Sequence, residues 1–359
     1  MSFDVLALGT ALPEHTMSLD EAVAMSTRLI CRDKREIRLL TTMLRRSRVR
    51  NRHTCVPHRI AYQWSDEKLA PSTSPGPTTQ ERMEMYAANA GPLALRACTN
   101  AFDQTAVARS DITHLITVSC TGFEAPGVDV QLIEGLGLPN TTQRLHIGYM
   151  GCHGAINGLR GAVALATADP AARILLCATE LCTLHFRFQW DEERILGNCL
   201  FGDGAAALIG GHAAANPMAM CKVQTTASCL VPQSQDAMTW RIGNHGFEMT
   251  LSNRVPDLIG EHLRPWLSTW LASQGLGLSD IASWAVHPGG PRILDAVEAS
   301  LELSADALAV SREVLEQYGN MSSPTVLFIL QRLLSRGSPR PCVALGFGPG
   351  LLAEAALIV

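Results

Sequence analysis

Short apolar runs recur along this chain, each closed by a turn residue, and longer stretches rich in alanine and leucine lie between them. Leu115-Ile116-Thr117-Val118, Ile174-Leu175-Leu176-Cys177, Trp284-Ala285-Val286 and Cys342-Val343-Ala344-Leu345 have the uniform apolarity of strands buried on both faces. Residues 154–167 and 325–334 are too long for strands and read as buried helices. The elements also repeat. Asp111-Ile112-Thr113-His114-Leu115 lies over Asp280-Ile281-Ala282-Ser283-Trp284 at an offset of 169, and Tyr149-Met150-Gly151-Cys152 over Gln317-Tyr318-Gly319-Asn320 at 168. The offset of 168 also sets Ile174-Leu175-Leu176-Cys177 over Cys342-Val343-Ala344-Leu345, and Ala207-Leu208-Ile209 matches Ala356-Leu357-Ile358 at 149. Four matches in one order predict a duplicated α/β unit, with helices packed on apolar sheets and a boundary near 210–217, where Gly, Ala, Asn and Pro break the pattern. The predicted halves are 1–215 and 216–359.

Composition narrows the class. With 47% hydrophobic and 17% charged residues, the chain has ample material for a core, which excludes a disordered protein. It holds no apolar run long enough to span a membrane, and its start, MSFDVLALGTALPEHT, lacks the basic end and apolar stretch of a secretory signal. A cytoplasmic protein is expected, with its 11 irregularly spaced cysteines reduced. The net charge of −4 gives no reason to expect nucleic acid. Charge is nonetheless uneven: between residues 28 and 59 eleven Arg or Lys face two acids, Asp33 and Glu36. Arg45, Arg46, Arg48, Arg50 and Arg52 are dense enough to attract a polyanion, or they form a solvated helix face.

Three residues carry candidate chemistry. Cys152, between Gly151 and Gly154, falls where a strand turns into a helix, and a thiol there feels the positive end of the helix dipole, which favours the thiolate. A buried inert cysteine fits the local sequence equally well. The repeat puts Asn320 at the equivalent point of the second half, as an amide donor at a helix start or as an ordinary N-cap. His287 ends a predicted strand in His287-Pro288-Gly289-Gly290-Pro291, a backbone fixed by turn residues. A thiolate to carry an acyl group and two donors for a developing oxyanion suffice for acyl transfer. Cys55-x-x-His58 and Cys182-x-x-His185 lack the regular spacing of a ligand framework, so no metal site is assigned.

Met150-Gly151-Cys152-His153-Gly154-Ala155, Leu200-Phe201-Gly202-Asp203-Gly204-Ala205-Ala206-Ala207, Val286-His287-Pro288-Gly289-Gly290-Pro291, Tyr318-Gly319-Asn320-Met321-Ser322-Ser323 and Gly346-Phe347-Gly348-Pro349-Gly350 form an ordered set. As a set they resemble type III polyketide synthases, the chalcone synthase superfamily, over nearly the whole chain. The resemblance implies a thiolase fold, an α/β body of duplicated halves in five αβαβα layers, usually a homodimer. It implies that Cys152 takes an acyl group from a starter coenzyme A thioester. His287 would hold the Cys152 thiolate and, with Asn320, bond the thioester oxygen while malonyl-CoA loses carbon dioxide. It brings no cofactor beyond the CoA thioester substrates. Phe201 matches the family's gatekeeping phenylalanine, and the Arg cluster, joined by Arg292, becomes a candidate for the CoA phosphates.

Departures are informative. Met249 stands where plant members carry a second gatekeeping phenylalanine, and Ala125 replaces a methionine that reaches into the partner subunit. Cys120, Cys182 and His185 occupy positions often held by threonine, and Gly197 and Ser322 are assigned to the same cavity. These changes look more like bacterial members, which make alkylpyrones, alkylresorcinols or small phenolics, and they favour a linear aliphatic starter over a phenylpropanoid one. The alternatives are a fatty-acid-initiating ketoacyl synthase, a non-catalytic acyl-CoA-binding protein and a cysteine hydrolase.

Overall fold

Nine strands, most of them apolar, pair into one mixed sheet: β1 (Phe3–Ala11), β2 (His114–Ser119), β3 (Gln143–Gly148), β4 (Arg173–Leu181), β5 (Asp203–His212), β6 (Cys221–Leu230), β7 (Ser283–Val286), β8 (Cys342–Gly348) and β9 (Leu352–Ile358). The structure is a computed structural model and describes residues 2–64, 73–192, 194–212 and 219–359. Strand order is β7-β8-β9-β6-β1-β5-β4-β2-β3. Read outward from its middle, the sheet shows the duplication: β6-β9-β8-β7 repeats β1-β5-β4-β2, including the parallel pairs β2 with β4 and β7 with β8. The two halves join where Phe3, Asp4 and Val5 pair with Val223, Lys222 and Cys221.

Burial explains the layers. Helices Gly154–Ala168 and Thr325–Ser335, both foreseen from sequence, are apolar on nearly all sides and lie between the two half-sheets, in a core with Ile116, Leu176, Ala344 and Ile358. The other face of the first half-sheet is covered by helices Thr79–Phe102 and Val128–Leu136, and that of the second by Val255–Ser273 and Pro291–Leu301. Helix, sheet, helix, sheet, helix is the five-layered thiolase fold. Among the described residues no helix is long and apolar enough to cross a membrane.

Two points bear on the duplication. The repeat extends to four strands of each half but not to β3, an exposed edge strand that pairs parallel with β2. The proposed division at residues 215 and 216 lies in 213–218, outside the described residues; β5 ends just before it at His212.

Candidate active site

The turn that carries Cys152 is built from backbone constraints. Tyr149 and Gly151 both have left-handed φ, 59° and 69°, which turn the chain from β3 into the short helix Gly151–His153 and on into Gly154–Ala168. A Cβ on Gly151 would lie 2.5 Å from Pro349 Cδ, so only glycine lets the turn after β8 close over this one. From the other half, Asn320 is zipped to residues 200–202: its N–H donates to the Leu200 carbonyl at 2.8 Å and its carbonyl accepts from Gly202 N–H at 3.0 Å. Phe201 and Asn320 are thereby held side by side.

Cys152 Sγ lies 3.8 Å from Asn320 Oδ1 and 3.9 Å from Nδ2, across the seam between the halves. Asn320 is not a helix cap, since the following helix begins at Thr325; its Oδ1 accepts instead from Ser322 N–H at 2.8 Å, which fixes the amide. The expected helix start at Asn320 is five residues early. His287 follows β7, and its N–H donates to the Leu345 carbonyl at 2.7 Å. Its ring is buried and neither ring nitrogen has a partner, so it does not hydrogen-bond Cys152 here.

Electrostatics sets burial against the helix start. Burial pushes the Cys152 thiol up to about 11, against smaller opposing pulls from Ser322 and Asn320, so desolvation outweighs the helix start. Burial pushes the His287 imidazole down to about 3. Taken one at a time, both groups are held toward their neutral forms by burial. Each charge alone is costly at this depth, and the cost falls when both form together as an ion pair.

A cavity of about 30 Å³ borders Cys152, with Cys120, Cys182, Phe201, Met249 and Ser322 on its walls as expected. Among its further walls, the large side chains of Met238 and Trp240 were missed. Trp240 Nε1 donates to the Cys120 carbonyl at 2.8 Å, and its ring stands edge-on to Phe201 with centroids 5.9 Å apart. It fills the space beside Cys152. Gly197 and His185 lie one layer out, lining neighbouring cavities rather than this one. Both His185 nitrogens are engaged, Nε2 with the Thr121 carbonyl at 2.7 Å and Nδ1 with Phe247 N–H at 2.9 Å, and burial pushes its pKa down to about 3. It is a packed core imidazole stacked on Phe247.

Glu180, near the end of β4, was also missed. Its buried carboxylate accepts from Cys120 N–H at 2.9 Å, Thr121 Oγ1 at 2.7 Å, Ser323 Oγ at 2.7 Å and Ser119 Oγ at 3.3 Å. The signal was a lone acid in a strand with every other residue from Ile174 apolar or small.

The arginines divide. Arg45, Arg46 and Arg48 are exposed at and just beyond the end of helix Lys34–Arg46. Arg50 is exposed and paired with Glu316, and the exposed Arg292 donates to Asn253 Oδ1 at 3.0 Å. Arg52 overturns its assignment. It sits in the Asn51–Thr54 strand opposite Met17, is 2% exposed, and donates to the carbonyls of Asn198 at 2.8 Å, Cys199 at 3.0 Å and Phe201 at 3.0 Å. It is a buried tie to residues 198–201 and reaches no solvent anion.

Comparison with known proteins places this architecture. Residues 2–214 match the chalcone and stilbene synthase N-terminal domain and residues 222–359 the C-terminal domain, so the chain belongs to that family. Type III polyketide synthase C of Arabidopsis thaliana is 32% identical, with 99% of this chain and 94% of the relative covered. The alpha-pyrone synthesis polyketide synthase-like Pks18 of Mycobacterium tuberculosis is 31% identical over 86% of this chain and 81% of its own length. The 1,3,6,8-tetrahydroxynaphthalene synthase of Streptomyces peucetius is 32% identical, covering 99% and 92%. The crystal structure of PKS-I from the brown alga Ectocarpus siliculosus superposes with a TM-score of 0.91 at 28% identity, covering 100% of this chain and 98% of the other. The chain is a type III polyketide synthase, an acyltransferase, which sets aside the ketoacyl synthase and the non-catalytic binding protein.

Proposed function

We propose that Cys152 carries the acyl group, that His287 and Asn320 serve the oxyanion and enolate, and that the substrates are an acyl-CoA starter and malonyl-CoA. The observation that carries this reading is the meeting of Cys152 Sγ with the Asn320 amide at 3.8 and 3.9 Å across the seam, beside a cavity with room for one or two waters. The S–H proton moves to His287, the sulfur attacks the starter thioester, and CoA leaves as its thiol with a proton. Malonyl-CoA then loses carbon dioxide; the electron pair stays on the remaining thioester as an enolate, whose oxygen the Asn320 amide and His287 bond. The enolate carbon attacks the Cys152 thioester, the C–S bond breaks, and the chain grows by two carbons. Arg45, Arg46 and Arg48, with Arg50 and Arg292 at the margin, attract the CoA phosphates.

The starter is a linear aliphatic acyl-CoA and the product a pyrone or resorcinol. A second cavity of about 50 Å³, with Met17, Met25, Val56, Ile60 and Trp64 among its walls, lies on the other side of Cys182 and Phe201 from the one beside Cys152, and a shift of Phe201 would join the two for a flexible chain more readily than for a rigid ring. The relative named for alpha-pyrone synthesis favours the pyrone. Exposed β3 and its neighbours Phe123 and Tyr149 suit a second copy of the chain, giving a homodimer. The test is a starter series from acetyl-CoA to long-chain acyl-CoA, alongside coumaroyl-CoA and malonyl-CoA alone, with products read by mass spectrometry. Rising turnover with chain length until the path is full is expected, since each buried methylene contributes about 0.8 kcal/mol. Best activity with coumaroyl-CoA, or with malonyl-CoA alone, defeats the aliphatic starter; absence of an acyl adduct on Cys152 defeats the reading itself.

A further inference from the structure

Phe201, Trp240 and Met249 stand between two cavities of unequal size. The one beside Cys152 has about 30 Å³; on the other side of these three side chains lies one of about 220 Å³, lined also by Arg187, Arg194 and Glu248. Met249 lies opposite Trp240 in the hairpin of Met238–Gly243 with Gly246–Leu251, and Glu248 is its chain neighbour. The Glu248 carboxylate is gripped by two cations from the chain leading into helix Leu196–Leu200: Oε1 accepts from Arg187 Nη1 at 3.2 Å and Oε2 from Arg194 Nη1 at 2.7 Å. Both guanidiniums also reach Asp191, at 3.5 Å each. Arg187 is tied in turn to the helix that ends beside Phe201: its N–H donates to Asn198 Oδ1 at 2.9 Å, and Asn198 Nδ2 to its carbonyl at 2.8 Å. At this joint Gly197 lies against both sides, since a Cβ there would be 3.1 Å from the Phe201 ring and 3.9 Å from Met249 Cε. The hairpin's other bonds near the partition, Trp240 Nε1 to Cys120 and Phe247 N–H to His185, are neutral, and charge-assisted bonds are the stronger kind.

We propose that Glu248 is a positioning residue that limits chain growth: clamped between Arg187 and Arg194, it holds Met249 and Trp240 against Phe201 and keeps the growing polyketide out of the larger cavity. The inference rests on the reading of Cys152 as acyl carrier and malonyl-CoA as extender. Each extension lengthens the Cys152-bound chain by two carbons, and a space of about 30 Å³, enough for one or two waters, fills at once. Further growth must displace a wall. Moving Met249 and Trp240 away from Phe201 opens about 220 Å³ more, so the resistance of that wall sets where growth stops. The two arginines balance Glu248 and Asp191, so the cluster has no net charge with which to draw in an anionic substrate, and its charges act on one another. Their side chains are between 22% and 39% exposed, which leaves the attraction open to screening by salt.

The test is the product mass spectrum of the full-length protein given malonyl-CoA alone or with acetyl-, hexanoyl- or dodecanoyl-CoA, at low and high salt. Glu248→Gln keeps the shape and an acceptor oxygen and removes the charge; Arg194→Gln removes the shorter of the two bonds. The share of products carrying one further malonyl-derived unit should rise about two- to fivefold in Glu248→Gln, the range that partly exposed ion pairs deliver. It should rise less in Arg194→Gln, and in the double variant no more than in Glu248→Gln, because both substitutions act through one contact. High salt should move the wild-type products the same way and leave those of Glu248→Gln where they are. A merely structural Glu248 would lower the melting temperature and total turnover without changing that share or its salt dependence. An unchanged share in folded Glu248→Gln, or additive effects of the two substitutions, overturns the inference while acylation of Cys152 keeps the polyketide reading intact. If the wild-type protein gives no extended product from any of these substrates, that reading fails, and the inference with it.

Discussion

Replacing Arg52 separates the buried arginine from its exposed neighbours. The guanidinium is held by three carbonyl oxygens, of Asn198, Cys199 and Phe201, with no carboxylate salt bridge, and burial lowers its pKa to about 10, which leaves it charged at neutral pH. Arg52→Met keeps most of the stem's packing and strands those three acceptors, each costing about 1–3 kcal/mol when left unpaired. Partial relaxation brings the total to roughly 3–5 kcal/mol, in line with removing one partner of a buried charged group. For a chain of this length that corresponds to a melting temperature lower by about 4–7 °C. Because the same carbonyls lead into Phe201, product distribution should broaden as the gate loosens. Arg46→Ser, at an exposed position, should leave stability within about 0.5 kcal/mol and raise the Michaelis constant for malonyl-CoA, less so at high salt. Thermal unfolding and decarboxylation kinetics on both variants decide the matter. An Arg52→Met protein with wild-type melting and a raised Michaelis constant would refute the reasoning and return Arg52 to the phosphate site.

Two further outcomes follow from the site. Asn320→Ala should slow malonyl-CoA decarboxylation by about 10²–10³ while circular dichroism stays that of the folded protein; an unchanged rate removes Asn320 from the chemistry. Trp240→Ala takes away an aromatic surface of roughly 200 Å² beside the nucleophile and frees the Cys120 carbonyl. Its products should gain at least one malonyl-derived unit, at a stability cost of about 2–4 kcal/mol, and an unaltered product mass spectrum would show that Trp240 does not limit chain growth.

What could be read from the chain, and what could not, divides along physical lines. Strands such as Arg173–Leu181 and Cys342–Gly348 announce themselves because they are covered on both faces, and the duplication sets Cys152 and Asn320 at equivalent points of the two halves; that the two meet across the seam is a tertiary fact. The edge strand Gln143–Gly148 escaped because its polar, exposed residues carry no burial signal in a single chain. Arg52 was misread because adjacency along the chain groups it with Arg48 and Arg50, while its side chain shares the inward face with Thr54. A period-two reading of that four-residue strand was the available clue. Trp240 escaped because it comes from a hairpin, Met238–Gly243 with Gly246–Leu251, whose arrival over the cavity is a tertiary fact.

The Glu180 carboxylate shows how the seam between halves is held, and it sets burial against hydrogen bonding in a way that pH can resolve. Its partners come from both halves: Cys120 and Thr121 after β2, and Ser323 beside Asn320. Its donors favour the charged form, yet burial is the larger effect and raises its pKa above the ordinary 4.5. A carboxyl whose folded pKa is raised binds its proton more tightly in the folded state, so its contribution to stability is full below 4.5 and is lost as pH rises through the folded value. Glu180→Gln, which mimics the protonated group and keeps an acceptor for Cys120 N–H, lacks this loss. The melting temperature of the variant relative to wild type should therefore climb as pH is raised from mildly acidic to neutral. If the difference instead falls with pH, the donors outweigh burial and Glu180 is held as a stable anion, in which case its negative charge, and not only desolvation, opposes thiolate formation at Cys152.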